Sequence, residues 1–185
     1  MRTRIATAGL AAGAIAVLAV GSYATADGGK KDVKTGPMSG YLEGAPGGPV
    51  SSAASGEFEA TIDDAAGQIG YTLSYSGLEG DVRQAHIHFG QRSVNGGISA
   101  WLCETAFNLS PTGPATPDCP QSGTVSGTLG AADVVGPTGQ GIAPGEFAEL
   151  VAALRAGRAY ANVHSTKFPP GEVRGQINDD NQRDD

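Results

Sequence analysis

Turn-forming residues cut this chain at short, regular intervals. Asp63-Asp64-Ala65-Ala66-Gly67, Asn95-Gly96-Gly97 and Phe168-Pro169-Pro170-Gly171 bound segments of well under a dozen residues, because glycine and asparagine reach turn conformations and proline pre-sets them. Within the segments apolar and polar residues alternate, the period of a strand with one buried face. The pattern predicts strands at Met38 to Glu43, Gly56 to Ile62, Gln68 to Tyr75, Val82 to Phe89, Ile98 to Cys103, Gly123 to Leu129, Ala159 to His164 and Glu172 to Ile177. One stretch departs from it. Phe147, Leu150, Val151 and Leu154 recur at three- and four-residue steps between Pro144 and Gly157, which predicts an amphipathic helix from Gly145 to Ala156. The expected fold is mainly β: an antiparallel β-sandwich with one short helix.

The alternation also orients the three histidines. In Ala85-His86-Ile87-His88-Phe89 the apolar set is Ala85, Ile87 and Phe89, so His86 and His88 share the opposite face. In Ala159-Tyr160-Ala161-Asn162-Val163-His164 the same logic turns Tyr160, Asn162 and His164 away from Ala159, Ala161 and Val163. If the two strands are neighbours, three imidazoles converge on the outer sheet face, where neutral rings suit copper or zinc. Tyr160 and Asn162 would then orient the rings from a second layer. The competing reading is structural, with the histidines bonding loop backbone. Glu172, Arg174 and Gln176 on the last strand read as a structural network.

Residues 1–26 read as a secretory signal peptide: Arg2 and Arg4, an apolar run from Ile5 to Val20, then Ala24-Thr25-Ala26. Residues 27–37 read as a flexible lead-in, 38–178 as one domain and 179–185 as an acidic tail. The expected location is secreted or extracytoplasmic and soluble, without membrane insertion after cleavage. About 160 residues remain, enough for a real core. The formal net charge of −7 becomes more negative once Arg2 and Arg4 are gone, which opposes binding to nucleic acid. In an oxidising compartment Cys103 and Cys119, the two cysteines present, read as a disulfide worth about 3 kcal/mol in the chain-entropy model. Paired thiolate ligands would favour closer spacing.

Ala85-His86-Ile87-His88-Phe89-Gly90, Asn95-Gly96-Gly97, Gly157-Arg158-Ala159-Tyr160-Ala161-Asn162-Val163-His164-Ser165 and Pro170-Gly171-Glu172-Val173-Arg174-Gly175-Gln176-Ile177 together resemble the CHRD domain, named after chordin. The resemblance runs from about Met38 to Asn178 and implies an extracellular β module, here of a bacterial, single-domain kind. The short His-x-His block is also similar to copper/zinc superoxide dismutases. It implies a Greek-key, dismutase-like or immunoglobulin-like sandwich. In that family one imidazole bridges two metals and further ligands complete the site, whereas three histidines in total leave room for a mononuclear site only.

Enzyme classes find little support. No serine lies in a Gly-x-Ser-x-Gly turn, and no glycine-rich strand-to-helix junction offers a phosphate site. The preferred expectation is a non-enzymatic secreted module that binds an extracellular partner or matrix component. The alternative is a copper or zinc protein using His86, His88 and His164 for storage, delivery or redox chemistry.

Overall fold

The computed structural model describes residues 31–35, 38–39, 49–110 and 116–177. The residues read as a signal peptide and as an acidic tail, and most of the expected Met38 to Glu43 strand, lie outside the described residues.

The architecture is one antiparallel sheet folded on itself. Its strands are β1 (Lys31–Lys34), β2 (Met38–Ser39), β3 (Ser55–Asp63), β4 (Gln68–Ser76), β5 (Val82–Phe89), β6 (Ile98–Cys103), β7 (Gly123–Leu129), β8 (Ala159–Ser165) and β9 (Val173–Ile177). They run in the order β6-β5-β8-β9-β2-β3-β4-β7, with β1 also paired to β3. The Tyr71 hydroxyl on β4 donates to the Leu102 carbonyl on β6 at 2.5 Å, tying the strand next to one end of the sheet to the strand at the other end. The closed side is the core: Phe58, Ile62, Leu73, Ile87 and Leu102 are fully buried there. Helix α1 (Phe147–Arg155) sends Leu150, Val151 and Leu154 into the same core. The fold class is thus the mainly antiparallel β expected, with one α-helix among the described residues.

Alternation makes β3 and β4 what they are. Phe58, Ala60 and Ile62 pack inward beside Ile69, Tyr71, Leu73 and Tyr75, with more exposed residues between them. The turn that joins the two strands uses Gly67 at φ 62° and an Asp63 side chain that accepts from the Ala66 N–H. β8 and β9 behave differently, since every residue in both is buried. Alternation there separates two covered faces rather than core from solvent.

One correction falls at the start of the domain. Lys31–Lys34 belong to the stretch read as a flexible lead-in, yet they form a strand paired with Glu59 to Ile62. Val33 is their one apolar residue, too little to show a period. The Cys103–Cys119 disulfide is formed, with Cα atoms 5.0 Å apart.

Ile87 sits between Ala100 on β6 and Ala161 on β8 and is fully buried. Ile87→Ala should therefore cost about 2–5 kcal/mol, because neighbours as small as alanine cannot fill the hole. Urea denaturation measures this; a loss below about 1 kcal/mol would place Ile87 outside the core.

Candidate metal centre

The β5–β8 register creates the site. His86 lies opposite Asn162, His88 opposite Tyr160 and Gln84 opposite His164, so His164 is one diagonal step from His86. Side chains at such steps on one face are within reach of each other. The three rings form one cluster, with centroids 4.9 Å apart for His86 and His164, 5.4 Å for His86 and His88, and 5.8 Å for His88 and His164.

The face is the one expected, but it does not meet solvent. His86, His88 and His164 are only 0%, 7% and 6% exposed, which corrects the reading of an open outer surface. Two connections cover it. Residues 90–97 fold across from the end of β5, held by Arg174, which donates to the Gln91 and Val94 carbonyls at 3.0 Å, and by Gln176, which donates to the Gly90 carbonyl at 2.8 Å. Residues 168–171 close the other side, where the Asn162 amide donates to the Pro170 carbonyl at 3.3 Å.

These loops also set the protons on the rings. His88 Nδ1–H donates to the Gly96 carbonyl at 3.0 Å, and His164 Nδ1–H donates to the Pro169 carbonyl at 2.8 Å. In a neutral ring the proton on Nδ1 leaves a lone pair on Nε2, so both rings present Nε2 as a ligand atom. His164 Nε2 faces His86 Nδ1 at 3.1 Å. His86 Nε2 and His88 Nε2 are buried without a hydrogen-bond partner, a state that costs each about 1–3 kcal/mol.

Electrostatics keeps the rings neutral. Burial pushes the His86 imidazole well below its ordinary value of 6.5, reinforced by His164 and His88. Burial and then His164 bring His88 down to about 4, with Arg174 adding to the effect and the Gly96 carbonyl opposing it. Burial lowers His164 too, against the bond to the Pro169 carbonyl. Neutral imidazole is the form that binds a metal.

One nitrogen from each ring falls within 4.8 Å of the others. Two ligands on one zinc-like ion, each about 2 Å from it, lie roughly 3.3 Å apart, close to the 3.1 Å between His86 Nδ1 and His164 Nε2. The His86–His164 pair thus has the spacing of two ligands on one ion, with a His88 nitrogen within 4.8 Å of both.

Tyr160 and Asn162 act on the rings through the loops. Tyr160 stacks on His88 with ring centroids 4.8 Å apart and planes 3° from parallel, and its hydroxyl accepts from the Gly96 N–H at 3.2 Å. Asn162 holds the residue after Pro169. The backbone carbonyls of Gly96 and Pro169, which side-chain patterns do not reveal, do the orienting. Trp101 was also missed: it pairs with His86 across β5 and β6, its ring 4.3 Å away, and it is half-buried at the edge of the cluster. Its place follows from register alone.

Glu172, Arg174 and Gln176 form a structural network, though a buried one rather than an exposed charge pair. Glu172 Oε1 accepts from the Ser52 hydroxyl at 2.6 Å and the Glu79 N–H at 2.7 Å. Gln176 spans the Gly90 and Gly157 carbonyls.

Residues 38–177 match the family model of the CHRD domain. The chain belongs to the CHRD family. The match contains all three histidines and both loops that cover them, so the whole centre is internal to the CHRD domain. Comparison with curated proteins and with solved structures gave no match. Among the described residues, no helix of the CHRD domain is long and apolar enough to cross a membrane.

Proposed function

We propose that this CHRD domain binds one copper or zinc ion through His86, His88 and His164. The observation that carries the reading is the buried cluster itself: His86 Nδ1 and His164 Nε2 lie 3.1 Å apart and His88 Nε2 is buried without a hydrogen-bond partner, in rings whose protons are set at His88 and His164 by backbone carbonyls. A metal ion would give the His88 lone pair a partner and take the place of the His86–His164 contact. The ring tautomers need no rearrangement at His88 and His164. We place the module outside the cytoplasm, in keeping with the Cys103–Cys119 bridge and the signal-like N-terminus.

The test is metal content by mass spectrometry on exported protein, followed by titration with copper and zinc under chelator competition. One equivalent should bind, and His88→Gln should weaken binding more than about a hundredfold, beyond the loss usual for an outer-layer partner. Binding no stronger in the parent than in His88→Gln would end the metal reading.

A second reading has its own support. Phe107 and Leu109, two large apolar side chains two positions apart on the disulfide loop, are 80% and 65% exposed. This loop would be the contact for an extracellular partner or matrix component. Pull-down of extracellular matrix fractions with parent and Phe107→Ser, Leu109→Ser protein tests it; equal capture by both would exclude the loop.

A further inference from the structure

His86, His88 and His164 are at most 7% exposed, so an ion reaches them only when part of their cover moves. The two covering loops differ in stiffness. In residues 168–171, Pro169 and Pro170 have pre-set φ angles, and backbone bonds pin the turn. Gly171 N–H donates to the Phe168 carbonyl at 3.0 Å, and Glu172 N–H donates to the Val163 carbonyl at 2.7 Å. Trp101, at the edge of the cluster, is carried by β6, which is fixed by its pairing with β5.

Residues 90–97, the connection from β5 to β6, are built otherwise. Gly90, Gly96 and Gly97 flank five consecutive exposed residues, 91–95. Ser93 stands at φ 59°, a left-handed conformation that costs a residue with a side chain and that opening relieves. Side chains hold the loop closed: Arg174 and Gln176 donate to its carbonyls, and the Tyr160 hydroxyl accepts from the Gly96 N–H. Gln140, on the short turn Thr138–Gln140, bridges the two stems. Its Oε1 accepts from the Gly97 N–H at 2.6 Å, and its Nε2 donates to the Phe89 carbonyl at 3.0 Å. Gln140 is exposed, and these bonds go to loop backbone rather than to a histidine. His88, the most exposed of the three rings, is bonded to the Gly96 carbonyl, so lifting this loop uncovers it first.

We propose that residues 90–97 are the gate through which a metal ion enters and leaves the three-histidine centre, with Gln140 as the latch at its hinge; this rests on the metal-binding reading above. Gln140 is a positioning residue. Its two bonds hold the loop closed whether or not an ion lies beneath, so their loss eases opening equally in the empty and the loaded protein. Entry and release then quicken together, and affinity stays.

The experiment follows Zn(II) and Cu(II), each alone, into the empty exported protein by stopped flow, and out of the loaded protein into excess colorimetric chelator. In the parent the uptake rate should level off as ion concentration rises, the mark of an opening step that precedes binding. Gln140→Ala should speed uptake and release each by about tenfold or more, the effect of two ordinary hydrogen bonds, with affinity changed less than about threefold. Amide exchange on the empty protein should open Gly96 and Gly97 before Gly171 and Glu172. Uptake that climbs in proportion to ion concentration up to the diffusion limit overturns the gate, and so does the reverse order of exchange. Unchanged rates in a folded Gln140→Ala protein overturn the latch, as does faster release with unchanged uptake, which gives Gln140 a merely structural role. Failure of both ions to bind the parent is a separate result and overturns the metal reading itself. Should Gln140→Ala not fold, the concentration dependence and exchange order of the parent still decide the gate.

Discussion

In the metal-free chain, stability should fall steadily as the pH drops from about 6.5 toward 4. The unfolded chain protonates its histidines near 6.5, while the fold holds His88 down to about 4 and lowers His86 and His164 as well. Between those limits the unfolded state binds more protons than the native state, so the linkage relation makes stability rise with pH. The contribution is fully present above the unfolded value and is lost as the pH falls through the folded one. His88 alone accounts for about 3 kcal/mol at pH 4, and His86 and His164 act in the same direction. A domain of this size has only about 5–15 kcal/mol in total. Urea midpoints in the presence of a chelator, measured from pH 7.5 to 4.5, check this. Flat stability between pH 7 and 5 would show that the rings are more solvated than the fold implies. His88→Gln should reduce the slope.

Gly96→Ala should be the most damaging single methyl in the cover of the centre. A Cβ at Gly96 would lie 1.6 Å from the Phe89 carbonyl oxygen and 2.4 Å from its carbon, and both belong to backbone at the end of β5. A flexible side chain could swing aside; this carbonyl cannot, because the Gln140 amide also donates to it at 3.0 Å. The loop must lift instead, taking with it the Gly96 carbonyl that holds His88 and loosening the acceptors of Arg174. The expected cost is about 3 kcal/mol, the upper range for overpacking, or roughly 10 °C in Tm for a domain of this length. Metal affinity should drop about ten- to a hundredfold, as when other outer-layer partners are removed. Calorimetry and the competition titration read both; an unchanged Tm would mean that the turn has room that its geometry denies.

The strands were legible because each needs only local information, an alternation over five to nine residues and a turn residue at each end. β3 and β4 show it best. Lys31–Lys34 were missed for the same reason: a strand with one apolar residue is held by its partner β3, which no local pattern reports. The face of each histidine was also legible, and so was the set of three. Their surroundings were not. Alternation says that His86 and Ile87 point in opposite directions but is silent on what lies beyond either, and the covering residues 90–97 and 168–171 are turn segments whose path depends on Arg174, Gln176 and Asn162 far along the chain. The meeting of His86 with His164, 78 positions apart, depends on β5 and β8 being neighbours, a fact of topology rather than of composition.

Trp101 gives the centre an optical property. It is the chain's one tryptophan, so all indole emission comes from a ring 4.3 Å from His86. A proton or a paramagnetic ion arriving at that imidazole sits within quenching range of the excited indole. The chain therefore carries its own unlabelled fluorescent reporter, and acid titration, ion loading and lifting of the loop should each register in one emission band.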